Sequence, residues 1–303
     1  MGFKKVLIVS KKTELEFNEE KYGNAVDAYY RRNNIDWLEL EKEHKYHYEC
    51  LDMIVDCFKQ SGIKPGLIKK QGLARYDFEN DWDLIVPVGG DGTFMDVARY
   101  IHDDTMVFGI KSSPFSVGGH YNANFGNAEE SIRNILLGNF LVDDRTRLEG
   151  MVDNDIKDLA LNEIYVGDLY GMGYSRLVVN REEVGCSGLV ISTYRGSTGW
   201  FNNIAVLDEE GNLCNGCNFI EEEDKIARYK IREYARGDAP RFGILEKDDV
   251  LVIESRSLID GKVSFDGSKP NQLRHRVYDL PYSRKVEIRI SDEPLKVIVP
   301  KYS

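Results

Sequence analysis

The sequence has no apolar run long enough to span a bilayer. It has no signal-like opening: in MGFKKVLIVSKK a short apolar core runs straight into Lys11 and Lys12, without a small-residue cleavage site. That stretch reads as a first β-strand. Val6 stands where a myristoylation signal wants Ser or Thr. Positive charge is in deficit: 40 Lys and Arg against 51 Asp and Glu give a net charge of −11. This argues against a general affinity for nucleic acid or anionic membrane, and an anionic ligand needs a local site that works against the global field. Cysteine is scarce and odd in number, with Cys50, Cys57, Cys186, Cys214 and Cys217. That usage fits a reducing compartment. The pair Cys214 and Cys217 forms a CxxC, but no second CxxC and no His at ligand spacing accompany it. It reads as a turn rather than half a zinc site or a redox pair. Internal repeats and low-complexity linkers are also missing.

What is present divides in two. The first part alternates strand and helix: strand candidates at 4–10, GLIKKQG, 83–88 and 105–111, and helices with apolar stripes. Tyr48, Leu51, Ile54, Val55 and Phe58 form one such stripe, closed by Gly62. A helix from Asn127 has Glu130 three residues on, the pattern of a capping pair. Alternation of this kind predicts an open, mostly parallel α/β sheet domain over 1–140. From 141 to 284 short β-type runs separated by Gly, Asn and Asp predict a β-rich domain, with strands in 285–303 free to return to the first. The exception is 219–236, FIEEEDKIARYKIREYAR, whose acids precede its bases as in a helix aligned with its dipole.

The chemistry concentrates in VPVGGDGT, residues 86–93. Gly89, Gly90 and Gly92 between a buried strand and a helix let phosphate approach unpaired backbone N–H groups. The stretch is neither a Walker loop nor a GxGxxG fingerprint. Asp91 is electrostatically wrong for simple phosphate binding. It suits a general base for an attacking hydroxyl or a partner of Mg²⁺, and otherwise a cap on the helix. Thr93 adds a hydroxyl to the turn, and Lys111 follows the fourth strand, where ligands gather in open α/β sheets.

GGDGT after an apolar strand resembles the signature of the NAD kinase, diacylglycerol kinase and sphingosine kinase superfamily. Three further segments resemble NAD kinases: Leu161-Asn162-Glu163-Ile164, the glycine-rich GLVISTYRGSTGW at 188–200, and VSFDG at 263–267. VSKKTELEFNEEKYG, CSGLVISTYRGSTGW and the loop Pro114 to His120 resemble the mitochondrial-type members. The resemblance implies an NAD kinase-like two-domain fold and an enzyme that transfers phosphate from ATP to the adenosine ribose 2′-OH of NAD. It implies Asp91 as catalytic base, phosphate contacts at Gly89, Gly90, Gly92 and Thr93, and NAD contacts at Asn162, Glu163, Thr193, Ser197 and Thr198. Lys111, by its place after the fourth strand, is a further candidate for phosphate, and His120 and Arg195, the latter a departure from the family's pattern, are further candidates for NAD. No protein metal ligands are assigned, and Mg²⁺ is expected to arrive with ATP. Small-molecule nucleotides are the expected partners, with a homodimer or tetramer as the assembly and no nucleic acid or membrane. No Arg-rich transit peptide opens the chain, so a cytoplasmic location is expected.

Several positions stay open between two readings. Arg195 suits a bidentate phosphate clamp or a plain surface charge. Trp200 suits a base stack or, preferably, the core. His120 lines a pocket or is an ordinary loop residue, and Asp266 lies near the site or shapes a hairpin with Gly267. The competing functions are a kinase of another alcohol, lipid or sugar, and a nucleotide sensor without turnover. The segment Phe94-Met95-Asp96-Val97-Ala98-Arg99 has neither the Glu nor the Asn-Gly pair that usually follows GGDGT in lipid kinases, which argues against a lipid acceptor.

Overall fold

A computed structural model describes residues 2–115, 118–168, 173–207, 213, 225–258, 261–267 and 276–302. The chain forms two compact units, Met1–Asp144 with Leu295–Ser303, and Arg145–Pro294.

In the first unit the apolar runs VLIVS and LIVPVG become Val6–Ser10 and Leu84–Gly89, buried along their whole length as strands covered on both faces must be. The sheet order is Gly66–Lys69, Val6–Ser10, Leu84–Gly89, Met106–Val107, Leu295–Pro300 and Phe140–Arg145. The first four strands pair in parallel, and Leu295–Pro300 pairs in parallel with Met106–Val107. The run 105–111, expected as one strand, is two: Met106–Val107 and Ile110–Lys111. Gly109 sits in the break, where a Cβ would stand 2.7 Å from the rings of Phe94 and Tyr121. Pro87, which has no N–H to donate, tolerates a central strand for the same reason. Ile85 and Gly89, on the same side of the strand, accept from Phe108 and Ser112, so Pro87 faces the interruption.

The helix Trp37–Gln60 buries Cys50, Leu51, Ile54 and Phe58 against this sheet. Asp36 caps its start by accepting from the Leu38 and Glu39 amides. It ends where the amides of Gly62 and Ile63 donate to the carbonyls of Lys59 and Phe58, with Gly62 at φ +79°. The helix Ala128–Leu136 begins after Asn127, but the expected capping pair does not form. The Asn127 side chain accepts from the Asn124 amide instead.

The second unit stacks two sheets. One runs Phe242–Leu245, Ala227–Arg232, Gly188–Ser192, Glu163–Asp168, Gly261–Phe265 and Val277–Asp279. The other runs Arg236–Gly237, Glu182–Cys186, Ser175–Val179, Leu251–Ser255, Lys285–Ile290, Leu148–Val152 and Ile156–Ala160. Inward rows from both sheets, including Ile164, Leu189 and Phe265 from one and Leu177, Ile253 and Ile288 from the other, meet in one core. The helix expected over 219–236 is corrected for its described part: Ala227–Arg232 is a strand, antiparallel to Gly188–Ser192. Ala227, Tyr229 and Ile231 alternate into the core, a period of two that the acid-to-base gradient had masked. Residues 219–224 of that stretch lie outside the described residues, as do Cys214 and Cys217.

Candidate active site

In the first unit the GGDGT segment is a strand, a turn and a helix. Leu84–Gly89 ends, Gly90 occupies the N-cap position, and Asp91–Ala98 is helical. Asp91 is therefore the first helical residue and not the cap. Its carboxylate is held from outside the helix, by the amides of Gly119 at 3.0 Å and His120 at 3.3 Å. A Cβ on Gly118 would overlap that carboxylate, so a glycine is required where the 118–120 loop closes on it. Each carboxylate oxygen accepts one amide and keeps lone-pair capacity for a further donor. The Tyr121 hydroxyl donates to the Gly90 carbonyl at 2.6 Å and fixes the turn from below. Burial pushes the Tyr121 phenol well up, with the Asp91 charge adding to it.

The other residues assigned to phosphate gather here. Thr93 is buried, and its hydroxyl lies 2.6 Å from where a Cβ on Gly89 would stand, so Gly89 admits Thr93. Lys111 pairs in register with Gly89, half-buried, at the carboxyl end of the neighbouring strand. His120 is buried and stacks on Phe94 with ring centroids 5.5 Å apart. Beneath the same strand ends His47 joins Ser10 at 3.0 Å and Ser112 at 2.8 Å. Burial, then the charges of Lys11 and Lys69, lowers its pKa to about 3 and keeps the ring neutral.

The second unit knits the other two motifs together. Glu163 opens its strand directly opposite Ser192. The Thr193 hydroxyl donates to the Leu161 carbonyl at 2.6 Å, and the Thr193 amide to the Asn162 carbonyl at 2.9 Å. A Cβ on Gly196 would overlap that same carbonyl, so the glycine-rich segment must carry glycine there. Asp266 supplies the third tie. Its carboxylate accepts from the amides of Leu161 at 3.1 Å, Asn162 at 2.7 Å and Glu163 at 3.3 Å. Asp266 itself sits at φ +50° and is paired to Arg276 at 2.7 Å. Arg276 is fully engaged by Asp266, Asp158 and the Leu159 carbonyl, and Tyr278 donates to Asp158 at 2.8 Å. Of the two readings for Asp266, the structure puts it beside the Asn162-Glu163 motif, as the clamp on that backbone.

Glu163 is 8% exposed, and its pKa is raised to about 8. Burial is the main cause, the Asp266 charge adds to it, and Arg276 opposes. Ser197 is buried and donates to the Tyr194 carbonyl at 2.6 Å, whereas Thr198 is exposed. Arg195 is half-buried with its guanidinium over the Tyr194 ring. The core preference for Trp200 is corrected: it is 38% exposed, between Tyr165 and Arg232. Phe201 takes the core position, because the 3₁₀ turn Trp200–Asn203 directs that ring inward. The buried Lys230 amine donates to the carbonyls of Phe201 and Ile204, each at 3.0 Å, and anchors this turn. Lys230, Arg276 and Asp158 carried no local sequence signal, because their partners lie 10 to 118 residues away.

Among the described residues no group of three or more His, Cys, Asp or Glu side chains is arranged to hold a metal ion. No described helix is long and apolar enough to cross a membrane.

A parallel α/β sheet unit with a GGDGT turn, joined to a two-sheet β unit with paired Asn-Glu and glycine-rich segments, is the two-domain NAD kinase fold. An NAD kinase from Archaeoglobus fulgidus, solved in complex with ATP, superposes with a TM-score of 0.60 over 97% of this chain and 92% of that one, at 17% identity. The yeast NADH kinase complexed with NADH gives 0.63 over 99% of this chain and 85% of that one, at 14% identity. In sequence the chain is similar to the NAD kinase of Corynebacterium efficiens, 31% identical over 129 residues. It is also similar to the mitochondrial NAD kinase 2 of Homo sapiens, 28% identical over 130 residues. Each match covers 39% of this chain, and respectively 40% and 29% of the relative. The chain thus spans less than half the length of these relatives in alignment. No protein-family model matches it.

Proposed function

We propose that the chain is an ATP-dependent NAD kinase, which phosphorylates the adenosine ribose 2′-OH of NAD to give NADP. The observation that carries the reading is the Asp91 carboxylate, fixed by two loop amides at the head of a glycine-opened helix. In this reading Asp91 accepts the 2′-hydroxyl proton as that oxygen attacks the γ-phosphorus. The bond to the bridging oxygen of ADP breaks, and ADP leaves with its electron pair. The turn at Gly89, Gly90, Gly92 and Thr93, with Lys111, receives phosphate oxygens on backbone amides and cationic charge. Asn162 and Glu163 recognise NAD, supported by Thr193, Arg195, Ser197 and Thr198, and His120 borders the phosphoryl-transfer loop. Glu163, protonated near neutrality, both donates to and accepts from ribose hydroxyls.

Mg²⁺ enters as the ATP complex, and the assembly is a homodimer or tetramer. Free thiols at Cys50, Cys57 and Cys186 support a reducing compartment, the cytoplasm. The test mixes the purified chain with ATP, Mg²⁺ and NAD, and reads NADP with an NADP-specific dehydrogenase. NADP at the level of a no-protein blank, with active controls, rejects the proposal.

A further inference from the structure

Five lysines stand at the carboxyl ends of the parallel strands: Lys11, Lys12, Lys69, Lys70 and Lys111. Three of them are committed to carboxylates on two helices of the first unit. Lys11 pairs with Glu43 at 2.5 Å, Lys12 with Glu20, and Lys69 with Glu16 at 3.4 Å and the Tyr48 hydroxyl at 2.5 Å. Lys70 differs in where its partner lies. It pairs at 2.8 Å with Asp96, which is on the GGDGT helix itself. Asp96 and Gly92 are four residues apart and share one helix face. The pair therefore lays the Lys70 amine along the first turn of that helix, and a Cβ on Gly92 would stand 3.8 Å from Nζ. The Lys70 side chain is 19% exposed, so its charge is screened less than that of a surface lysine. The Lys111 side chain, on the strand paired with Gly89, makes no hydrogen bond or ion pair among the described residues.

We propose that Lys70 binds the terminal phosphates of the phosphoryl donor at the GGDGT turn, a role that rests on the kinase reading above. Two physical needs converge on it. A triphosphate brought beside the Asp91 carboxylate requires compensating positive charge, in a protein whose net charge is −11. The glycine at 92 leaves open the face over which the amine lies. Asp96 keeps the amine beside that face when phosphate is absent, and its charge competes with phosphate for it. An ion pair with a phosphate then adds to, or replaces, the one with Asp96.

The experiment compares Lys70→Met, Lys70→Arg and Asp96→Asn with the wild-type chain. Each is measured for equilibrium binding of a non-hydrolysable ATP analogue with Mg²⁺, and for the KM values of ATP and NAD. Lys70→Met should weaken analogue binding and raise the ATP KM about tenfold or more, leaving the NAD KM unmoved. Lys70→Arg should recover most of the affinity, and Asp96→Asn should bind the analogue as well as wild type or better. Unchanged analogue binding in Lys70→Met overturns the proposal. So does an equal loss in Asp96→Asn, because the ion pair would then be serving only to hold the helix. A wild-type chain that binds the analogue but makes no NADP removes the kinase reading and leaves the Lys70 comparison to be decided by binding alone.

Discussion

Asp91 is held by the 118–120 loop and not by its own helix, and this separates it from an ordinary helix-capping aspartate. Asp91→Asn keeps the size and an acceptor oxygen but loses the base. It should lower kcat by about 100-fold or more while NAD still binds, measured by the coupled assay and by calorimetry. An unchanged kcat would remove Asp91 from the chemistry. Glu163 makes a prediction about pH. Its folded carboxyl keeps a proton up to about pH 8, against 4.5 for the ordinary group, chiefly because it is buried. Folding then favours the protonated form. The stability contributed is fully present below pH 4.5 and is lost as pH rises through about 8. Glu163→Gln cannot ionise, so its melting temperature relative to wild type should climb from about pH 5 to about pH 9. A constant offset across that range would mean that Glu163 is not held protonated. Asp91 stood out in its short motif, and Glu163 only through the resemblance of its segment. Their environments were not legible, because Gly119 and Asp266 approach them only through the fold.

At the scale of elements, the loop 161–163 is shaped by groups that the local sequence does not contain. Asp266 takes three of its amides, and Thr193 donates to the Leu161 and Asn162 carbonyls, the second of which packs against Gly196. Asp266→Asn presents an amide NH₂ where a backbone N–H or Arg276 must be accepted. It should raise the NAD KM on the order of tenfold and lower the melting temperature, with the ATP KM unmoved. Equal changes in both KM values would show general damage and not a displaced loop. Lys230 acts likewise on the turn Trp200–Asn203. Lys230→Met leaves the carbonyls of Phe201 and Ile204 without this donor and should cost about 1–3 kcal/mol in chemical denaturation. The sequence read elements well where a buried face set the period, as in Val6–Ser10 and Trp37–Gln60. It failed at Ala227–Arg232, where charge order suggested a helix and inward alternation made a strand. It failed again at 105–111, where the strand breaks at Phe108-Gly109 with the rings of Phe94 and Tyr121 packed beside Gly109.

The whole molecule depends on a return of the chain. Leu295–Pro300 inserts between Met106–Val107 and Phe140–Arg145, with Leu295, Val297 and Ile298 buried. Removing residues 295–303 should take away a central strand of the first unit and leave every strand of the second in place. Limited proteolysis should then spare a fragment spanning about residues 145–294 and digest the first unit. Equal resistance of both units would contradict that dependence.

By itself the sequence determined the strand–turn–helix at GGDGT, the parallel core strands and the helix that carries the Tyr48–Phe58 stripe and ends at Gly62. Local periodicity, glycine and capping chemistry act within a few residues and need no knowledge of the fold. Only the tertiary structure decided which side chains surround those motifs. The amides on Asp91, the Asp266–Arg276–Asp158 clamp beneath Glu163, and Lys70 over Gly92 join residues from 10 to 118 positions apart. Such contacts exist because sheet register and burial bring distant segments together, and no local pattern encodes that approach.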